Sequence, residues 1–473
     1  MRREKLKWDR TRESQSTDAG HGGRGIRSRD EGPVMGLDRR GAVVQSVEPA
    51  QPEKGRRRAL LAKSYEIDKR EVWQAYERVK ANKGAAGVDG VGIADFERKL
   101  KSNLARIWNR LSSGSYMPPP VRRVEIPKSD GKVRALGIPT VGDRIAQQVV
   151  KQRLEPVLEP MFHANSYGYR PGRGAHDALR QAREQCWRQD WVLDLDIKGF
   201  FDNIDWGLLM GVVRKHAPEP WVALYIQRWL QADVVMPDGA VVKRDKGTPQ
   251  GGVISPLLAN LFLHYAFDEW MKKGHGKVAF ERYADDIICH CQSRGHAEAL
   301  MAQVGARLAK CGLQLNPQKS KVVYCADAKR RRHYDTKRFD FVGYTFKPRR
   351  SADKKGVIFT NFAPAVGDKA AVAMRQQIQS WRLPRHNGWS LKEVLARIKP
   401  VVTGWVAYYG LFNPSALYRA LQTLDQQLVN WARRKYKGLA RHTERAWNWL
   451  RGVKSREPRL FPHWFVSIMT TER

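Results

Sequence analysis

Two short stretches put acids where a half-buried strand would carry apolar side chains. In WVLDLDI, residues 191–197, Asp194 and Asp196 fall on one face of an alternating run, opposite Trp191, Leu193 and Leu195. In ERYADDIICHC, residues 281–291, the adjacent Asp285 and Asp286 interrupt a segment that reads as strand, turn, strand. If the two stretches lie side by side, three or four carboxylates converge. Like charges at ~4 Å repel by about 4 kcal/mol at an effective dielectric of about 20. They must protonate, separate or hold a cation. A Lys or Arg could serve, but hard Mg2+ takes one or two carboxylates and leaves positions for phosphate oxygens. Two such ions, ~3.5–4 Å apart, suit in-line displacement at phosphorus.

Phosphate needs cations as well. KSDGKVR places Lys128 and Arg134 on facing arms of a hairpin whose strands are read from PPPVRRVEIPKSDGKVRALGIPT. GTPQGG, residues 247–252, adds a flexible turn and the side-chain amide of Gln250. Around these pieces the pattern alternates between helix and short strand. Val72, Tyr76 and Val79 form a helical stripe ending near Gly84, and Phe96, Leu100, Leu104, Ile107 and Leu111 form a second. Residues 143–162, GVISPLLANLFLHYAFDEWM and AEALMAQVGARLAKCG read as further helices. After about residue 360 the chain turns helical: a stripe through Leu391, Val394, Leu395, Ile398, Val402, Trp405 and Tyr409, which Pro400 should bend, then a long helix capped by Asn413 or Ser415.

The bulk numbers point the same way. A chain of 473 residues predicts about two to four domains. Its 85 Lys plus Arg against 48 Asp plus Glu give a net charge of +37, which favours a polyanionic partner, nucleic acid above all. No apolar run is long enough to span a bilayer, and MRREKLKWDRTRESQS has no signal-peptide core. Cys186, Cys289, Cys291, Cys311 and Cys325 are odd in number and scattered, which fits a reducing cytosol, with Cys289 and Cys291 as small core residues. Residues 1–62 read as a basic, disordered arm or a solvated tail. Residues 361–473 hold 19 Lys plus Arg, 6 Asp plus Glu and 7 of the 16 Trp. Aromatics among cations suit nucleic acid, while Trp405 and Trp431, on the apolar stripes, read as core.

In order and spacing these blocks resemble the reverse transcriptase/maturases encoded by bacterial group II introns. The resemblance starts near residue 64 and is carried by RVKANKGAAGVDG, LSSGSYMPPPVRRVEIPKSDGKVRALGIPTVGDRIAQQ, SYGYRPGRGAHDAL, DLDIKGFFDNIDW, GTPQGGVISPLLANLFL, RYADDI, GLQLNPQKSKVV and FDFVGYTF. It implies an α+β right-hand polymerase: fingers, a palm with an antiparallel sheet, a helical thumb and a basic C-terminal extension. It divides the chain into the arm at 1–62, fingers and palm at 63–360, thumb or domain X at 361–445 and a DNA-binding segment at 446–473.

The resemblance also implies roles. Asp196, Asp285 and, more peripherally, Asp286 would bind two Mg2+ ions, with Asp194 outside the set. Lys128 and Arg134 would hold the deoxynucleoside triphosphate, and Gln250 would contact the nucleotide. Phe201 would exclude a ribose 2′-hydroxyl, or simply pack. Lys319 would protonate the leaving pyrophosphate, or touch phosphate at the surface. Arg170, Arg433, Arg434, Lys435 and Lys437 would meet nucleic acid. The implied function is RNA-directed DNA synthesis on a primer 3′-OH, together with binding of structured group II intron RNA to assist splicing and mobility. The implied partners are that RNA, an RNA template with DNA primer, target DNA and dNTPs, with no membrane, in a cytoplasmic, nucleoid-associated ribonucleoprotein. The sequence leaves the oligomeric state open. An HNH nuclease is missing, so insertion would need an exposed 3′-OH. The alternatives are a splicing-only RNA-binding maturase and a domesticated reverse transcriptase of a retron or defence system.

Overall fold

The computed structural model describes residues 64–127, 133–353 and 355–471. The basic arm at 1–62 and the turn of the KSDGK hairpin, with Lys128, lie outside them.

The described residues begin with three helices: α1 (Lys69–Ala81), α2 (Ile93–Arg98) and α3 (Leu100–Ser112). Asp68 caps α1 and Glu71 closes a capping box, while Val72, Ala75, Tyr76 and Val79 turn inward. The stripe from Phe96 to Leu111 predicts one helix; the structure breaks it at Lys99, with φ −124° and ψ 38°. The Asn103 side-chain amide donates to the Phe96 carbonyl at 2.9 Å, satisfying a group left free by the break. A hairpin of β1 (Val121–Pro127) and β2 (Val133–Ile138) follows, pairing Ile126 with Arg134, as the sequence predicts.

Next come α4 (Val141–Leu158), α5 (Ala175–Arg188), β3 (Trp191–Leu195), the short α6 (Phe200–Asn203), α7 (Trp206–His216), α8 (Pro220–Leu230), β4 (Val234–Val235) and β5 (Val241–Val242). The apolar helix is α9 (Ser255–Leu263), which passes through a π turn at His264–Asp268 into α10 (Glu269–Gly274). The strands β6 (Phe280–Tyr283) and β7 (Asp286–Cys291), α11 (Arg294–Ala309) and β8 (Lys321–Tyr324) complete a four-stranded antiparallel sheet in the order β6-β7-β3-β8.

The alternation of β3 divides that sheet into two faces. Trp191, Leu193 and Leu195 join the large helical core with α4, α7, α8, α9 and α11. Val192 joins Ile288 and Val323 on the other face, against α5 and a three-stranded sheet of β9 (Phe339–Phe341), β10 (Tyr344–Ala352) and β11 (Ile358–Val366). All five cysteines are free and buried, Cys289 and Cys291 among them. The α+β class read from the sequence is the class observed.

The remainder is helical: α12 (Asp368–Ser380), α13 (Leu391–Tyr409), α14 (Pro414–Lys435), α15 (Thr443–Arg456) and α16 (Pro462–Thr471). Asn413 caps α14 by accepting from the Ala416 N–H at 3.0 Å. The helix α13 continues through Pro400. Leu421, Leu424, Leu428 and Trp431 of α14 share one core with Ile398 and Val402 of α13, Leu450 of α15 and Trp464 of α16. No break in packing marks residue 446. All seven tryptophans of this region are in that core or packed against it, and Trp405 stacks on Trp381 at 5.8 Å. Trp431 and Trp464 are buried, and the other five tryptophans pack against the core with part of their surface exposed, so their rings contribute to this small helical core.

A buried carboxylate ties the last helix down. Asp425 Oδ1 accepts from His463 Nε2 at 2.9 Å and from Trp464 Nε1 at 2.8 Å. Burial pushes its pKa up, but these donors outweigh burial and hold it below the usual value. A depressed carboxylate stabilises the fold above its unfolded pKa, about 3.9, and that contribution disappears as pH falls through the folded value. Asp425→Ala should therefore release α16 at neutral pH by about 3 kcal/mol. Amide hydrogen exchange in α16 should show the gap between variant and parent, narrowing below about pH 4.

Candidate functional site

The acid-bearing turn is shaped by register and clamped from beneath. Pairing of Tyr283 with Asp286 leaves Ala284 and Asp285 as a two-residue turn. Such turns want a positive φ at their first position, usually glycine; Ala284 adopts φ 57°. Arg282, fully buried, holds it there. Its Nη1 donates to the Ala284 carbonyl at 3.1 Å and to Asn260 Oδ1 at 2.9 Å. Its Nε and Nη2 grip Asp268 Oδ1 and Oδ2 at 2.8 and 2.6 Å. Asp268 closes the π turn between α9 and α10, the kind of local widening that re-aims a side chain.

The sheet then brings the second acid stretch alongside. Leu195, the last residue of β3, pairs with Ile287 of β7, so Asp196 leaves the strand beside the β6–β7 turn, near enough for its charge to act on Asp286. Burial and then the charges of Asp285 and Asp196 push the Asp286 pKa up to about 6, against the pull of Lys319. Asp285 is raised by burial first and by Asp196, and is drawn back by its own backbone N–H, Arg134 and Arg282. Asp194 pairs with Lys321 at 3.6 Å, and burial pushes it up to about 7. Lys319 Nζ lies 3.3 Å from Asp196 Oδ1. The Asp196 N–H donates to Ser320 Oγ at 3.1 Å, and its carbonyl accepts from the Asn316 N–H at 2.8 Å, so the loop before β8 fixes the residue.

The site's donors are carboxylate oxygens, the set a hard divalent cation takes, and burial and then neighbouring acids raise the pKa of Asp285 and Asp286. Among the described residues, no three His, Cys, Asp or Glu side chains close on one point. Asp196 leans instead on Lys319.

Three of the nucleotide candidates, Arg134, Phe201 and Gln250, lie on elements joined by backbone hydrogen bonds. Arg134, exposed on β2, is near enough to Asp285 to lower its pKa. Gly137 of β2 donates its N–H to the Gln250 carbonyl at 2.7 Å, joining the GTPQGG loop to the hairpin. Phe201 is half-buried on α6, and its carbonyl accepts from the Thr248 N–H at 2.8 Å. Gly247, at φ 79°, lets the loop close: a Cβ there would lie 2.8 Å from the Phe201 carbonyl oxygen. Phe201 and Gln250 are thus held by one loop.

Arg170 is placed otherwise than the sequence suggests. Its side chain is 4% exposed. It binds Glu159 through Nε and Nη2, and the His163 and Ser166 carbonyls through Nη1 at 2.7 Å each. A guanidinium so committed secures its own loop and does not reach a phosphate backbone; the basic look of the motif concealed a buried ion pair. Arg433 and Lys435 donate to the carbonyls of Ala440 and Asn387, and with exposed Arg434 and Lys437 they form the basic end of α14.

Sequence reasoning passed over Arg282, Asn260, Asp268 and Tyr169. An arginine inside an alternating apolar strand was the available sign of the first. Tyr169 gave a weaker one, as a bulky residue between turn-forming neighbours. It sits at φ 58°, a conformation that costs a non-glycine residue roughly 1–3 kcal/mol, and is 54% exposed.

Two family models match this chain: the reverse transcriptase (RNA-dependent DNA polymerase) model over residues 126–346, and the group II intron, maturase-specific domain over residues 371–448. Protein YkfC of Escherichia coli (strain K12) is 33% identical over 287 residues, covering 52% of this chain and 75% of that protein. The group II intron-encoded protein LtrA of Lactococcus lactis subsp. cremoris is 34% identical over 262 residues, covering 54% of this chain and 42% of LtrA. Among solved structures, apo telomerase of Candida tropicalis, truncated from its C-terminal domain, overlays with a TM-score of 0.37 at 13% identity, covering 48% of this chain and 53% of that one.

Proposed function

We propose, from the premise that this chain belongs to the bacterial group II intron-encoded reverse transcriptase/maturases and is an RNA-directed DNA polymerase of right-hand form, that the acids where β3 meets the β6–β7 turn are its nucleotidyl-transfer centre. The observation that carries this reading is the pairing of Leu195 with Ile287, which leaves Asp196 at the end of β3 beside the Asp285–Asp286 turn, where burial and then the charges of Asp285 and Asp196 raise the Asp286 pKa. Reverse transcriptases use divalent metal. Asp196, Asp285 and Asp286 would hold two Mg2+ ions, which when bound activate the primer 3′-OH and screen the departing pyrophosphate.

The chain's own residues do the rest. Arg134, with Lys128, binds the triphosphate by a bidentate fork and a point charge. Gln250 touches the nucleotide, and Phe201 walls the sugar pocket. Lys319 donates a proton to the leaving oxygen. Lys319→Met should lower kcat about a hundredfold with little change in KM for dNTP. A mere phosphate contact would raise KM and spare kcat, so steady-state kinetics separate the two roles.

The maturase domain binds group II intron RNA by charge and shape, so that the RNA itself splices. We assign residues 63–360 to fingers and palm, 361–445 to thumb and domain X, and 446–473 to DNA contact. Arg433, Arg434, Lys435 and Lys437 would meet nucleic acid. Target DNA offering an exposed 3′-OH, an RNA template and dNTPs complete the partners, in a nucleoid-associated cytoplasmic particle. Among the described residues no helix is long and apolar enough to cross a membrane. Asp196, Asp285 and Arg134 are all present, which a splicing-only factor would not require. The test is primer extension on an RNA template with Mg2+, comparing the parent with Asp285→Ala, together with a search for folded intron sequence around the coding region.

A further inference from the structure

The loop carrying Tyr169 is over-determined. Gly168 lies so close to the metal-site turn that a Cβ on it would be 2.4 Å from the Ala284 nitrogen. Asn260 Nδ2 donates to the Gly168 carbonyl at 2.7 Å. The Tyr167 N–H donates to the Arg282 carbonyl at 2.8 Å, and the Arg282 N–H to the Asn165 carbonyl at 2.9 Å. Arg170 then locks the far side of the loop onto Glu159. Buried Arg282, Asn260 and Arg170 thus converge on three neighbours of one residue, and that residue is an exposed aromatic in a strained left-handed conformation. Backbone held in such a region usually serves the site it adjoins.

Position says which site. Tyr169 follows the glycine that touches Ala284, as Asp285 follows Ala284, so the two side chains leave adjoining backbone. The charges that act on the Tyr169 hydroxyl include Asp285 and Arg134 together. Tyr169 thus follows directly on the glycine packed against the acid turn, within reach of the charges of Asp285 and Arg134. The residue is about half exposed and belongs to none of the core clusters.

We infer that Tyr169 contacts the incoming deoxynucleotide, its ring packing against the nucleotide that spans from Arg134 to Asp285, and that the Gly168–Arg170 clamp exists to present that ring. The inference rests on the polymerase reading above. It assigns a substrate-contacting residue, with packing by the ring rather than proton transfer by the hydroxyl as its action.

The decisive variant is Tyr169→Gly. Glycine adopts positive φ freely, so the loop should hold or gain thermal stability while the ring is lost. The KM for dNTP on an RNA template should rise about tenfold, the scale of a lost base–aromatic contact, with primer–template affinity unchanged. Tyr169→Phe should stay within about twofold of the parent in KM, since it keeps the ring. An unchanged KM in Tyr169→Gly, or a fall in Tm with the kinetics intact, overturns the inference and leaves a structural residue. Failure of Phe to restore KM overturns the packing role. The parent and Asp285→Ala run alongside: a parent that makes no DNA overturns both readings, whereas an active parent with an indifferent Tyr169→Gly overturns this one alone.

Discussion

Asp285→Ala is expected to abolish DNA synthesis, by at least about a thousandfold, with the fold preserved. The side chain stands at the tip of a turn, and the clamp beneath it works through Arg282 and the Ala284 carbonyl, which the substitution leaves in place. Removing one of three mutually repelling acids should stabilise the metal-free protein slightly, because Asp285 and Asp196 both raise the Asp286 pKa. A second measurement isolates ion binding from activity. Mg2+ at about ten times its dissociation constant should stabilise the parent by about 1.4 kcal/mol, seen as a rise in Tm. Asp285→Ala should lack that rise. Equal primer extension in both proteins, or an equal Mg2+ response, would remove this turn from the reaction.

Arg282→Met should be the most destabilising single change at the site. Arg282 and Asp268 are both fully buried, with Nη2 and Oδ2 2.6 Å apart. Methionine fills comparable space but strands the Asp268 charge, a loss of about 3–5 kcal/mol. Pairing it with Asp268→Leu removes the stranded charge and should recover most of that stability. Activity should not return with it. The double variant still lacks the donors to the Ala284 carbonyl and to Asn260, so the turn that presents Asp285 loses its anchor. Urea unfolding and primer extension on the four proteins of the cycle should show stability largely rescued and synthesis still down at least about tenfold. Joint recovery would mean that the arginine acts on folding alone.

How far the sequence reached follows from the range of the forces involved. Alternation in WVLDLDI and DIICHC is local, set by the two-residue repeat of a strand. It announced β3 and β7, and the placing of Trp191, Leu193 and Leu195 on one face, which in the structure joins the large helical core. Caps are equally local, and Asp68 and Asn413 cap the helices beside them. The ordered motifs carried the family.

Charge and aromatic content misled where burial decides meaning. Arg170 looked like a phosphate ligand and is an internal ion pair, and among the C-terminal tryptophans Trp431 and Trp464 are buried core while five others pack against it. The side chain is the same in either setting; only its partners differ, and those lie far along the chain.

By itself, then, the sequence determined which segments alternate, which helices cap, and that the acids of residues 196, 285 and 286 belong to polymerase motifs. Tertiary structure alone decided that β3 lies beside β7 with Leu195 opposite Ile287, that Arg282 reaches Asp268 beneath the turn, and that Gly168 packs against Ala284. The physical reason is that strand register, buried ion pairs and close backbone approach join residues tens to hundreds of positions apart. No local pattern records that geometry.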